Sequence, residues 1–227
     1  MAEDALTFLL TDIEGSTRLW ESRPDAMRVI NARHDALVDA VVERHGGTVV
    51  RSRAEGDSAF IVFDAAPSAA AAAIDLQGVM AAEPWPAGVE VRVRMAMHTG
   101  PVTTRAGEYY GPTVNRCVKL RAIAFGGQVV VSEASAAVAG AALPDGASLL
   151  DMGEHRLPDL ARPEHVYQLL HPTLHPDFPP LKSVDAEQHN LVRPASSFVA
   201  RDLDAATLVK LVHAHRAVTV TGPGGVG

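Results

Sequence analysis

Cysteine is nearly absent from this sequence: Cys117 is the single example among 227 residues. One thiol cannot form an intramolecular disulfide, so the chain is not a disulfide-stabilised secreted scaffold, and a cytoplasmic location is expected. Basic residues are also scarce, with 20 lysines and arginines against 27 aspartates and glutamates. The formal net charge of -7 argues against direct nucleic-acid binding and against an anionic membrane surface as the main partner.

Long apolar runs are missing as well. The longest, residues 65–74, is mostly alanine and is too short to span a bilayer, which takes about 20 apolar residues. The acidic start, residues 1–4, lacks the basic and apolar parts of a signal peptide. Hydrophobic residues still make up 47% of the chain, enough to bury a core. The sequence therefore predicts a soluble globular protein with no membrane partner.

The spacing of apolar residues predicts the order βαββαβ, followed by smaller elements. Strands are predicted over 6–10, 48–50, 59–63, 89–97, 128–131 and 166–170, with a turn over 98–101. Helices are predicted over 24–45, 67–80, 112–124 and 132–139. This order favours an α+β fold, an α/β sandwich in which helices pack against one mostly antiparallel sheet.

Composition changes after residue 170. Residues 171–202 are predicted to be a proline-rich linker, and 203–227 the truncated start of a P-loop ATPase-like segment. That segment would hold a helix over 205–213, a strand over 217–221 and a glycine-rich loop over 222–227. A P-loop needs Lys and Ser or Thr directly after such a loop, so no ATPase function is expected. Beyond the linker we expect poor order, except where 205–221 packs locally.

Two aspartates stand where predicted strands end beside flexible backbone. Asp12 follows the first strand, and Asp57 lies at the tip of the hairpin formed by 48–50 and 59–63. If these strands share a sheet, both carboxylates reach one edge, and such a pair suits Mg²⁺ or Mn²⁺. Backbone N–H groups of Gly15, Ser16 and Thr17, at a helix start, could hold phosphates of the same ligand. The alternative is structural: Asp57 as a turn residue and Asp12 as a helix cap.

Four segments resemble the class III nucleotidyl cyclases, particularly the actinobacterial kind. Residues 8–20 (FLLTDIEGSTRLW) resemble their opening motif, and 46–47 with 55–57 (EGD) their second metal motif. Residues 110–115 (YGPTVN) resemble the segment that carries a transition-state asparagine. Residues 153–157 with 162–169 are similar to the C-terminal segment of that group. The resemblance covers about residues 5–170 in the right order, and it implies a cyclase domain over 1–170 with a ferredoxin-like core.

The resemblance implies a head-to-tail homodimer that converts ATP to cyclic AMP and pyrophosphate at sites shared between subunits. Asp12, Ile13 and Asp57 of one subunit would hold two Mg²⁺ or Mn²⁺ ions, an arrangement that clamps attacking and leaving oxygens. The partner would read the base and stabilise the transition state, with Asn115 orienting the ribose. Proteins of this group often continue into an ATPase domain and a DNA-binding region, and 172–227 resemble that join.

The partner-side positions depart from the usual pattern of adenylyl cyclases. Arg53 stands where a lysine usually contacts the purine, and Glu108 where an aspartate usually accepts from the adenine amine. Lys119 replaces a transition-state arginine, and Pro158 lies where a phosphate-binding lysine is common. Charge is kept at the first three positions, so the pattern still favours adenine, but a lysine lacks the bidentate geometry of an arginine. Low activity is therefore expected.

These departures leave alternatives open. The chain could be a weak adenylyl cyclase, or a catalytically silent domain that binds a nucleotide or partner and regulates through dimerisation. A heterodimer with an intact cyclase would need only Asp12 and Asp57 from this chain. An unrelated two-metal nuclease or phosphatase would fit the aspartates but not the segment around Asn115.

Overall fold

The computed structural model describes residues 5–50, 57–105, 108–160, 162–184, 202–215 and 217–219. The chain divides into two compact units, 1–187 and 188–227. In the described part of the chain, no helix is both long and apolar enough to cross a membrane.

Unit 1 alternates strands and helices along the chain. Its strands are β1 (Ala5–Ile13), β2 (Thr48–Val50), β3 (Phe60–Phe63), β4 (Val93–Pro101), β5 (Thr103–Arg105), β6 (Glu108–Tyr110), β7 (Val129–Ser132), β8 (Ser148–His155) and β9 (Glu164–Leu170). Its helices are α1 (Ser16–Ser22), α2 (Pro24–Arg44), α3 (Ala66–Ala82), α4 (Pro112–Ile123) and α5 (Glu133–Ala139), with a 3-10 turn at Gly140–Ala142. Unit 2 contains α6 (Asp202–Ala214).

Seven of these strands form one sheet in the order β2-β3-β1-β4-β7-β9-β8. Every neighbouring pair is antiparallel except β4 and β7, which are parallel. Strands β5 and β6 form a separate two-stranded hairpin. The predicted α+β fold, a mostly antiparallel sheet flanked by helices, is confirmed.

A hydrophobic core lies on each face of the sheet. Each strand contributes to both cores because its successive side chains point to opposite faces. In β1, Leu9 and Ile13 belong to the core shared with α2 and α3, whereas Phe8 and Leu10 pack in the core beneath α4. All four side chains are at most 1% exposed. The sheet therefore has a helical layer on each face, and β1 lies within it between β3 and β4.

Three sequence predictions about elements were wrong. The turn predicted over 98–101 is the end of β4, which pairs along its whole length with β1. Strand β8 was missed because it lies at the sheet edge, pairs with β9 alone, and is interrupted by a bulge between Asp151 and Gly153. The described part of the strand predicted over 217–221, residues 217–219, is not a strand.

The start of the predicted linker packs on the domain. We call residues 171–184 the strap. Leu181 of the strap is 1% exposed in the core beneath α4, and Ser183 is 7% exposed. Gln168 Nε2 donates to the Pro176 carbonyl at 2.8 Å, and Val184 N donates to the Arg156 carbonyl at 3.0 Å. Unit 1 accordingly extends to residue 187. The rest of the predicted linker, 185–201, and the glycine-rich loop over 222–227 lie outside the described residues.

Candidate active site

Asp12 lies near the end of β1, directly opposite Arg94 of β4 in the antiparallel register. Its Oδ2 accepts hydrogen bonds from Arg94 Nε at 2.6 Å and from Arg94 Nη2 at 2.5 Å. Its Oδ1 accepts from Ser58 Oγ at 3.0 Å. The Asp12 side chain is 12% exposed, so its charge is held in place by a partly buried guanidinium and a hydroxyl group.

Asp57 is brought beside Asp12 by the contacts of the two residues that follow it. Ser58 donates to Asp12, and Ala59 exchanges two bonds with Thr11: Thr11 N to the Ala59 carbonyl at 2.9 Å and Ala59 N to Thr11 Oγ1 at 3.2 Å. The predicted hairpin of β2 and β3 is present, and residues 51–56 of its tip lie outside the described residues. Because β1 and β3 are neighbouring strands, Asp12 and Asp57 lie at the same end of this strand pair. Their role as metal ligands stays a prediction.

The donor set at this edge fits a hard divalent cation. Asp57 Oδ2 is buried and has no hydrogen-bond partner among the residues that the structure describes, an arrangement that is costly unless another group binds there. No cluster of three or more potential metal-ligating His, Cys, Asp or Glu occurs within the ranges that the structure describes. Two carboxylates with few other protein ligands are typical of Mg²⁺ and Mn²⁺ sites, where substrate phosphates and water complete the coordination. Ile13 has an aliphatic, buried side chain, so only its backbone carbonyl is suited to join the two carboxylates.

The backbone turns sharply after Asp12. Glu14 N donates to the Arg92 carbonyl at 2.9 Å, and Gly15 adopts φ 75°, a left-handed conformation that glycine reaches without a Cβ penalty. Ser16 and Thr17 then open α1, whose first N–H groups have no partner within the helix. The predicted phosphate-binding residues therefore begin three residues after Asp12, at the N-cap and first turn of α1. This helix has seven residues and no buried side chain.

Asn115 and Lys119 lie four residues apart on α4, so both side chains fall on one face of that helix. Asn115 is exposed in the first turn, and its N–H donates to the Gly111 carbonyl at 3.3 Å. Lys119 Nζ pairs with Asp159 at 2.5 Å. The described polar contacts of Lys119 therefore lead to Asp159, next to Pro158, and not to Asp12 or Asp57 within the same chain.

The base-reading residues can be placed only in part. Arg53 lies outside the described residues. Glu108 begins β6, opposite Arg105 of β5, and its side chain is not described. Their predicted roles therefore stay predictions.

The sequence reading missed three residues of this site. Arg94 and Ser58 hold Asp12, and Arg121 donates from Nη1 to the Thr11 carbonyl at 2.9 Å. A partial signal was that Arg94 lies in a predicted strand, because a partly buried arginine requires a carboxylate partner. No comparable signal marked Ser58 or Arg121, whose roles depend on strand register. Cys117 is fully buried and its pKa is raised by burial to about 12, so its thiol is a packing group in this structure.

His98 of β4 lies in a chain of buried polar groups behind the site. Its Nδ1 contacts Ser132 Oγ at 2.8 Å, and the Ser132 hydroxyl also accepts from Ser135 N at 3.2 Å. Ser135 Oγ contacts Thr99 Oγ1, which contacts Thr7 Oγ1, both at 2.9 Å. Burial, with a smaller contribution from the charge of Arg116, lowers the pKa of His98 to about 4. His98 is therefore neutral at pH 7 in the folded protein.

This histidine predicts a loss of stability in mild acid. A depressed folded-state pKa means that the unfolded chain takes up a proton first, as pH falls below about 6.5. The contribution of neutral His98 to the free energy of unfolding is complete above about pH 6.5. It is lost as the pH falls towards the folded-state pKa of about 4. Between pH 7.5 and 5 we expect a loss of up to about 2 kcal/mol in the free energy of unfolding that His98→Gln does not show. Urea titrations of both proteins at the two pH values measure it, and parallel losses would contradict the assignment.

The fold and the two aspartates define an α+β domain with a candidate cation site, and known proteins match this domain. A model of the adenylate and guanylate cyclase catalytic domain matches residues 1–157. An uncharacterized protein of Mycobacterium tuberculosis is 41% identical over 198 residues, covering 86% of this chain and 67% of that protein. An adenylate cyclase of Podospora anserina is 33% identical over 153 residues, covering 56% of this chain and 7% of that protein.

Solved structures agree in fold. An adenylate cyclase structure from Trypanosoma brucei, solved in the monomeric state, has a TM-score of 0.70 and 25% identity and covers 78% of this chain and 92% of its own. The adenylyl cyclase CyaB of P. aeruginosa has a TM-score of 0.63 at 21% identity, covering 73% and 93%. This chain belongs to the adenylate and guanylate cyclase catalytic domain family.

Proposed function

We propose that this chain is a weak adenylyl cyclase that converts ATP to 3′,5′-cyclic AMP and pyrophosphate as a homodimer. The observation that supports it best is the buried Oδ2 of Asp57, which has no partner among the described residues. The next residue, Ser58, donates to Asp12. A carboxylate oxygen without a donor at this sheet edge is suited to a cation. The Podospora anserina relative is named an adenylate cyclase, which agrees with this substrate class.

In this proposal Asp12, the Ile13 carbonyl and Asp57 hold two Mg²⁺ or Mn²⁺ ions, with Gly15, Ser16 and Thr17 directing N–H groups at the phosphates. The ions, when bound, make the ribose 3′-hydroxyl a better nucleophile and neutralise charge on the triphosphate. Arg94 fixes the orientation of Asp12 through Oδ2 and leaves lone pairs on Oδ1 for a cation. The 3′-hydroxyl loses its proton to water as its oxygen bonds to the α-phosphorus. The bond from the α-phosphorus to the bridging oxygen breaks, and pyrophosphate leaves.

The partner subunit supplies the remaining groups. Arg53 donates to the purine, Glu108 accepts from its amine, and Asn115 orients the ribose. Guanine presents the opposite donor and acceptor pattern, so this pair favours ATP. Lys119 supplies the transition-state cation without the fork of an arginine. Losing one well-aimed donor typically costs about 10²–10³ in rate, which is why low activity is expected.

A silent, regulatory cyclase-like domain is the second candidate, and one contact favours it. Asp159 pairs with Lys119 at 2.5 Å, so the cation intended for the transition state already has a counter-ion within its own chain. Such a domain would still bind a nucleotide or dimerise. In a heterodimer with an intact cyclase, the Asp12 and Asp57 side could still serve one site.

The test is cyclic AMP formation from ATP with Mn²⁺, measured over a series of protein concentrations beside Asp57→Asn. We expect activity that rises faster than linearly with protein, because each site needs two subunits, and that disappears in the variant. The same assay with GTP is expected to give less product. If the wild-type protein is folded and dimeric but makes no more cyclic AMP than Asp57→Asn, the proposed cyclase activity is contradicted. The regulatory role would then be the remaining candidate.

A further inference from the structure

The strap reaches the loop that follows Asp12. Lys182 Nζ forms an ion pair with Glu14 Oε1 at 2.9 Å, across 168 residues of sequence. Glu14 is two residues after Asp12 and one before Gly15. The same ammonium lies 4.1 Å from the centroid of the Phe125 ring, a cation–π distance. One strap residue thus contacts the segment that carries the first aspartate and the start of α1.

Lys182 is held in place on both sides. Leu181 and Ser183 are 1% and 7% exposed, and Ser183 Oγ contacts His155 Nδ1 at 3.0 Å. The Lys182 N–H donates to the Ile123 carbonyl at 3.0 Å. Because its backbone is fixed, Lys182 loses less conformational freedom on pairing than a lysine on a mobile tail would.

Glu14 is confined from the other side by glycine. A Cβ on Gly126 would lie 2.7 Å from Glu14 Oε2 and 2.5 Å from Arg92 Cβ. Glu14 N is bonded to the Arg92 carbonyl, so both its backbone and its carboxylate are tied to neighbouring chain. The Glu14 and Lys182 side chains are 34% and 41% exposed, so their pairing adds little to global stability.

We infer that Lys182 is a positioning residue of the metal site, which fixes Glu14 and with it the loop over 12–15. This inference rests on the proposed cation site at Asp12 and Asp57. It assigns the strap a function: the chain that follows the cyclase core sets the geometry of the loop on which cation and phosphate binding depend. Movement of the strap would then change the affinity of the site for the cation.

The experiment measures Mn²⁺ binding without nucleotide by titration calorimetry. The variants are Lys182→Met, Glu14→Gln and the double variant, with Lys210→Met on α6 as the matched control. Local electrostatics alone predicts that Lys182→Met strengthens Mn²⁺ binding, that Glu14→Gln weakens it, and that the charge-matched double variant binds like the wild type. Positioning predicts that all three bind more weakly by similar factors of about 3–10, since one pair is lost in each. Lys182→Arg should restore binding, and Lys210→Met should not alter it.

Activity supplies a second readout. We expect Lys182→Met to raise the KM for the metal–nucleotide complex by about the same factor, with kcat changed less than twofold. A double variant that binds Mn²⁺ like the wild type would overturn the positioning role. In that case, loss of Mn²⁺ binding in Asp57→Asn would still support the assignment of the cation site. Absence of Mn²⁺ binding in the wild type would instead overturn the proposed site.

Discussion

Asp57→Asn is expected to lower cyclic AMP formation at least about 10²-fold and to leave the free energy of unfolding within about 0.5 kcal/mol of the wild type. The substitution keeps the size of the side chain and removes the charge that would bind a cation. Stability should be unaffected because Asp57 Oδ2 has no hydrogen-bond partner to lose in the described part of the chain. Activity and urea unfolding of one preparation measure both quantities.

Asp12→Asn provides the contrast. Activity should fall comparably, but stability should fall too, by about 1–3 kcal/mol. The reason is that the partly buried Arg94 loses the charged oxygen that its Nε and Nη2 both contact. The two aspartates are thus distinguished by what each contacts in the absence of a cation. Equal stability losses in the two variants, or full activity in either, would contradict the assignment of Asp57 as the free ligand.

Gly47→Ala is expected to destabilise the protein by at least about 2 kcal/mol. A Cβ at this position would lie 2.4 Å from Phe63 Cε1 and 2.6 Å from Phe63 Cζ, and Phe63 is 1% exposed in the core. Either the ring must leave its place or the chain at Gly47 must shift away from Phe63 of β3. Both changes disturb the hairpin that ends at Asp57, so cation binding should weaken as well.

Gly78→Ala is the matched control for that substitution. Gly78 lies inside α3, and a Cβ there meets nothing within 4 Å. Alanine should therefore stabilise the helix, by about 0.5–1 kcal/mol. Urea denaturation of both variants measures the difference. A Gly47→Ala protein as stable as the wild type would show that the Phe63 ring can move without cost.

The elements that sequence reasoning predicted well are those with strong apolar periodicity. The helix over 24–45 was predicted from its apolar spacing, from Pro24 and from Gly46, and α2 runs from Pro24 to Arg44. Strand β8 carries no such pattern, because Leu150 and neighbouring residues at the sheet edge are exposed. The end of β4 was misread because Gly100 and Pro101 are turn residues by composition, whereas pairing with β1 keeps them extended.

The sequence by itself determined the family and the α+β class, because those depend on local patterns and short motifs. It also singled out Asp12 and Asp57 as candidate metal ligands and Arg53, Glu108 and Lys119 as departures from the usual motifs, and these stay predictions. Only the tertiary structure decided that Arg94 and Ser58 hold Asp12, that Lys119 pairs with Asp159, and that Lys182 binds Glu14. The physical reason is that these contacts depend on the register of the strands and on the course of the chain through the fold. They bring together residues that are 40 to 168 positions apart in the sequence. No local pattern records such separations.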